Sequence, residues 1–299
     1  MKQLTKIIAT FIIVIITFFS FDYLAGILVS KFIIKGNSKQ EYLLNENNEF
    51  RLVIFGSSRA NHHYDTPYLT DSIGVTSFNA GEDGRGLTYQ LPLIKSYLEH
   101  NNPELIVLEM FSTMDGSWND RLSLLYPYAQ SHPHIIEAAE KVDPYNRFYL
   151  NSNLFQYNGN IVPMIKNYRN PFKPNQSYGF VPLSAEPVLP VIEIKVDSLN
   201  ITEDKLEKEV LKEILQLCKQ KNIKVVGVIS PVYSNERYKI TSDSLFLEFG
   251  FPFIDNSDFR LPINPGNYFK DNSHLNEYGA REYTKYFYSQ ISDSLQLIQ

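Results

Sequence analysis

The stretch Arg51-Leu52-Val53-Ile54-Phe55-Gly56-Ser57-Ser58 decides how this chain is read. Its short apolar run is long enough for a strand and too short for a helix, and Gly-Ser-Ser then breaks it. A strand apolar on both faces belongs inside a parallel sheet covered on both sides. The same kind of run recurs further along, in "GVTSFNAG" at 74–81, "ELIVLEMF" at 104–111, "IKVVGVIS" at 223–230 and "PFIDN" at 252–256. Helical spacing fills the intervals. Leu91, Ile94 and Leu98 share one side of a helix over 87–100. Leu206, Val210, Leu211, Ile214, Leu215 and Cys218 line one face of a helix over 203–222, with Thr202 placed to cap it. Further helices are expected over 242–249 and from Asn276 into the Ser292 region. Strands alternating with helices predict a mostly parallel five-stranded sheet in a flavodoxin-like, three-layer α/β/α fold.

The 299 residues suffice for one substantial α/β domain with appendages, and no Gly/Ser-rich or Pro-rich linker divides them. A net charge of -5 is not the basic footprint of a nucleic-acid binder. The single cysteine, Cys218, rules out an intramolecular disulfide, and its place on an apolar helix face reads as a buried structural thiol.

At the N-terminus Lys2 and Lys6 precede an apolar stretch over 7–29, about the length that crosses a hydrocarbon core as a helix. Residues 1–35 are expected to form an uncleaved, single-pass membrane anchor, and 36–299 the α/β domain. A cleaved signal peptide is the alternative, although no good small-x-small cleavage site follows the run. Asp22 interrupts the apolar stretch, which places it near the interface or against a partner helix. Residues 112–200 are rich in Tyr, Asn and Pro and lack a regular period. They read as a long insertion, either a functional lid or a surface layer, with short helices near 135–141 and 161–168.

Three unusual segments fall at strand ends or before the last helix, where open parallel sheets bind ligands. In "GSSRANHH" (56–63) a serine sits in a tight turn that opens a helix. Its hydroxyl is presented at the sheet edge, and its amide lies at a helix N-terminus where negative charge is favoured. The plain alternative is a serine that merely caps the helix. In "DNSHLNEYGA" (271–280) Asp271 and His274 lie three apart before a helix. That spacing can aim a carboxylate and an imidazole at one place. The alternative is a capping Asp and a surface His. The third segment is "NAGEDGRG" (79–86), whose glycines do not form a phosphate-binding fingerprint.

In order and spacing these segments resemble the SGNH/GDSL hydrolase superfamily, from about Arg51 to Phe287. Its first block, a strand followed by Gly-Asp-Ser, corresponds to Gly56-Ser57-Ser58. Its second contributes a glycine, here Gly81 in Asn79-Ala80-Gly81. Its last, Asp-x-x-His before a helix, corresponds to Asp271-Asn272-Ser273-His274. The resemblance implies a Ser58-His274-Asp271 triad acting through an acyl-enzyme, with the Ser58 and Gly81 amides as oxyanion donors. Two departures stand out. Ser57 replaces the usual Asp, and the Gly-x-Asn-Asp block is missing after the third strand, leaving Asn119 in "GSWND" as the candidate third donor. The family's tethered members imply an acyl ester substrate on an envelope glycan, a large domain outside the cytoplasm, and hydrolysis or transfer to a carbohydrate hydroxyl. They also leave open an inactive binding protein, or a subunit that docks on an integral-membrane acyltransferase.

Arg59 beside the serine is a candidate for binding an anionic substrate group, with pairing to Glu82 or Asp83 as the structural alternative. His62 and His63 are adjacent and point apart, so they make a poor metal pair. His132 and His134 lack company at zinc-ligand spacing, and Trp118 and the insertion's tyrosines suit either sugar stacking or packing. No metal or organic cofactor is called for.

Overall fold

The apolar runs pair into a five-stranded sheet in which every neighbouring pair is parallel. The strands are β1 (Leu52–Phe55), β2 (Ser77–Asn79), β3 (Leu105–Glu109), β4 (Lys224–Ile229) and β5 (Phe253–Asp255), in the order β2-β1-β3-β4-β5. The computed structural model describes residues 2–33, 38–110, 122–186, 205–233, 243–259 and 265–295. β1 and β3 are buried along their whole length, as expected of strands covered on both faces. From β1 the chain pairs β2 on one side and β3 on the other. The order therefore reverses between β1 and β3, which opens a crevice at their carboxyl ends.

Alternation along the strands sorts the core. Leu52 and Ile54, Leu105 and Val107, and Val226 and Val228 share one cluster with Ala60 and Tyr64 and with Ala280, Tyr283, Phe287 and Ile291 of the closing helix, Glu277–Ile291. The intervening residues, such as Val53, Ile106 and Val225, are equally buried and face the other way. Helix Lys205–Gln220 packs on β4 and on Leu87–His100, with the Lys95–Glu213 ion pair joining the two helices. Cys218 is buried on that helix, and burial pushes its thiol up to about 12. The cap expected at Thr202 lies outside the described residues.

The chain divides into two compact units, Tyr42–Gly116 with Lys173–Gln299 and Met1–Glu41 with Ser117–Phe172. The long insertion therefore splits. Residues 173–186 belong to the α/β unit, where Val181 N–H donates to Asn61 O and Glu277 N–H to Leu183 O. Residues 122–172 group with the N-terminal helix α1 (Lys2–Ile33) and contain helices Pro133–Val142, Asn146–Tyr149 and Ile161–Arg169. Trp118 lies outside the described residues.

Within that second unit, α1 is long and apolar enough to cross a membrane, its most apolar 18-residue stretch having a mean hydropathy of 2.3. Asp22 is buried on it and is satisfied by its own chain. The carboxylate accepts from Ser152 Oγ (2.6 Å), Asn153 N (2.8 Å) and Leu154 N (3.1 Å). Hydrogen bonds to a charged group contribute about 1.5–3 kcal/mol each, enough to hold a buried carboxylate without a separate partner helix.

Candidate functional site

The crevice beyond β1 and β3 gathers the polar segments. Gly56 and Ser57 turn the chain out of β1, and Ser58 opens the short helix Ser58–His63. The first amides of a helix have no intrahelical carbonyl, so the Ser58 N–H is not used by its own helix. His274 comes from the other side on a pinched loop. Phe269 and Leu275 form an antiparallel bridge, and Lys270 N–H donates to His274 O. Asn276 then caps the closing helix by accepting from the amides of Tyr278 and Gly279.

The three residues expected to form a triad meet. His274 Nε2 lies 2.8 Å from Ser58 Oγ, and His274 Nδ1 lies 2.9 Å from Asp271 Oδ2. An ionised carboxylate only accepts, so Nδ1 carries the proton and Nε2 is left to accept from the serine hydroxyl. Asp271 Oδ1 also accepts from Ser273 N–H (2.8 Å) and His274 N–H (2.9 Å). Burial by itself would raise the Asp271 carboxyl, but these amides and the imidazole bring it below the usual carboxylate range. The aspartate is therefore ionised at neutral pH and can stabilise a protonated His274.

Arg59 is not at the substrate surface. It is 1% exposed and turns inward, where Nη2 donates to Ser230 O, Ser230 Oγ and Pro231 O, and Nε lies 3.7 Å from Glu109 Oε1. Successive side chains on a helix diverge. Presenting Ser58 outward therefore sends Arg59 into the sheet edge.

Gly81 also differs from expectation. Its N–H donates to Asn79 Oδ1 at 3.0 Å, so the amide is committed within its own loop. Asn79 is buried and also donates from Nδ2 to Ala60 O and Tyr64 O, which ties the loop to the helix that begins at Ser58. The glycine is required for close approach, since a Cβ at Gly81 would sit 2.4 Å from Asn61 N. Asn119, the other oxyanion candidate, lies outside the described residues.

Sequence reasoning missed a buried network behind Ser58, His274 and Asp271. His63 Nε2 accepts from Leu275 N–H (3.0 Å), the residue after His274, so its Nδ1 carries the proton and donates to Ser230 Oγ (2.7 Å). Glu109, at the end of β3, accepts from Tyr64 Oη and Ser230 N–H. The available signals were an acid ending "LIVLE" and a serine ending "VVGVIS", both polar residues closing apolar strands. His62 lies on the other side, with Nδ1 2.6 Å from Val181 O and Nε2 3.0 Å from Asp83 Oδ1, and its ring meets that of His274 edge-on. Among the described residues no group of three His, Cys, Asp or Glu could hold a metal ion.

His63 gives the site a pH signature. Burial, then the Arg59 guanidinium and the nearby imidazoles of His274 and His62, hold its imidazole well below the ordinary histidine value. Below about pH 6.5 the unfolded chain binds a proton at this residue that the folded chain does not, so stability falls as pH drops. The thermal midpoint in detergent is expected to fall from pH 7.5 to pH 5, and to fall less in His63→Gln. Equal falls in the two proteins would mean that His63 is not the titrating group.

The chain matches no protein-family model, and no curated protein matches its sequence.

Proposed function

We propose that the chain is a membrane-anchored serine esterase or O-acyltransferase of the SGNH/GDSL type, with its α/β domain outside the cytoplasm. The observation that carries this reading is the continuous relay from Asp271 through His274 to Ser58, at 2.9 Å and 2.8 Å. The strand order supports a flavodoxin-like, three-layer fold as part of the same reading. His274 takes the Ser58 proton as the oxygen attacks an ester carbonyl, and the oxyanion forms beside the Ser58 amide. His274 then protonates the leaving alcohol, and an acyl-Ser58 ester remains. Water, or a carbohydrate hydroxyl, attacks that ester with His274 again as base. Acylated envelope glycans are the proposed substrate class, by analogy with tethered members of that superfamily.

One observation favours a second reading. With Gly81 N–H committed to Asn79, an oxyanion donor is lost, which costs about 100- to 1,000-fold in rate where it has been measured in enzymes of this logic. That suits a binding protein, or an accessory subunit of a membrane acyltransferase, built on the same fold. The assay that separates the two is turnover of p-nitrophenyl acetate by the full chain in detergent. Turnover lost in Ser58→Ala supports the enzyme, and an acylated sugar formed with added carbohydrate acceptor identifies transfer. Wild-type turnover equal to that of Ser58→Ala supports the second reading.

A further inference from the structure

Helix Ile161–Arg169 is packed the wrong way round for a helix in water. Met164 is its buried residue, whereas Ile161, Val162, Ile165 and Tyr168 are exposed, Val162 at 76%. Positions i, i+1, i+4 and i+7 form one stripe, so the apolar side of this helix faces outward. The neighbouring helix Asn146–Tyr149 likewise exposes Phe148, at 72%, and Tyr149. Exposed Arg147, Lys166 and Arg169 are interleaved with these residues.

The same compact unit fixes where α1 leaves the body. The turn Ser152–Leu154 holds Asp22, and one turn later Gly26 meets Asn153 so closely that a Cβ would lie 2.2 Å from Asn153 Cβ. Helix Ile161–Arg169 also packs on α1. By contrast, every residue from Lys2 to Phe21 is exposed. That exposed stretch of about 20 residues is about 30 Å long at 1.5 Å per residue, the thickness of a hydrocarbon core. With the exposed stretch in the hydrocarbon, the grip at Asp22 sits at the lipid–water boundary, and the outward apolar stripe is carried on the body that makes the grip.

We propose that the face formed by Phe148, Tyr149, Ile161, Val162, Ile165 and Tyr168 lies in the interfacial layer of the bilayer, with Arg147, Lys166 and Arg169 meeting lipid phosphates. Aromatic rings and cations around an aliphatic stripe are the composition that layer favours. The insertion thus holds its own unit against the membrane, and Asp22 sets the depth of that unit. The inference rests on α1 spanning the bilayer.

The test uses the full chain. Cys218 is buried and its thiol is pushed up to about 12, so under native conditions the unsubstituted protein serves as the unlabelled blank. Val162→Cys and Ile165→Cys, with Ile12→Cys as the reference within the span, are labelled with an environment-sensitive fluorophore. Each is reconstituted into phosphatidylcholine/phosphatidylglycerol vesicles carrying lipids spin-labelled near the headgroup or deep in the acyl chain. The expected result is strong quenching of Val162 and Ile165 labels by the shallow spin label, and of the Ile12 label by the deep one. Unquenched Val162 and Ile165 labels beside a quenched Ile12 label would overturn the proposal while leaving the anchor intact, and would mark the face as water-exposed or reserved for a protein partner. An unquenched Ile12 label would overturn the anchor and the proposal together.

Discussion

His274→Ala is expected to lower ester turnover by roughly 10,000- to 1,000,000-fold, about as far as Ser58→Ala, because the two act as one unit. His274 Nε2 is the base that stands 2.8 Å from Ser58 Oγ. Asp271→Asn should cost less, on the order of 10,000-fold, by favouring the wrong tautomer of His274 while the loop stays in place. That loop is held independently, by Lys270 N–H to His274 O and by Leu275 N–H to His63. Combining Ser58→Ala with His274→Ala should add little to either alone. Steady-state rates on p-nitrophenyl acetate for the four proteins provide the check, and additive losses would mean that the two residues do not act together.

The second large effect concerns stability. Glu109→Gln is expected to destabilise the α/β unit by about 3–5 kcal/mol, the cost of leaving a buried charge unpaired. Arg59 keeps its charge, and its side chain and that of Glu109 are 2% and 0% exposed. Burial raises the Glu109 carboxyl, while Arg59 and the hydroxyl of Tyr64 oppose that rise, and the guanidinium at 3.7 Å favours the ionised pair. The comparison is Glu104→Gln, which breaks the half-buried Arg51–Glu104 pair and should cost no more than about 1 kcal/mol. Urea midpoints in detergent measure both. A Glu109→Gln cost as small as that of Glu104→Gln would mean that Glu109 is already neutral.

The sheet was legible because its strands are short apolar runs cut by Gly, Ser or Asn, a pattern that depends only on local burial. Each of the five fell within its expected range, with ends trimmed by a residue or more. Asp271 and His274 were legible because three residues of separation in a tight turn suffice to bring them together. Arg59 has a structural role, as the alternative to substrate binding held, but its inward course to Glu109 and Ser230 had no local signature, because both lie far off in sequence. Gly81 was given an oxyanion role by resemblance, whereas the side chain of Asn79 takes up its N–H, a contact that no pattern encodes. Asp22 was noticed as a charge in an apolar span. Its partners lie 130 to 132 residues away, in a segment without period, so the contact had no local signature.

The most direct test is covalent labelling of the full chain with a serine-reactive fluorophosphonate, read by intact mass and peptide mapping. The relay of Asp271, His274 and Ser58 predicts one adduct, on Ser58, absent from Ser58→Ala and from His274→Ala. Folded wild-type protein that takes up no probe, or that is labelled equally in His274→Ala, would contradict an activated serine at this site.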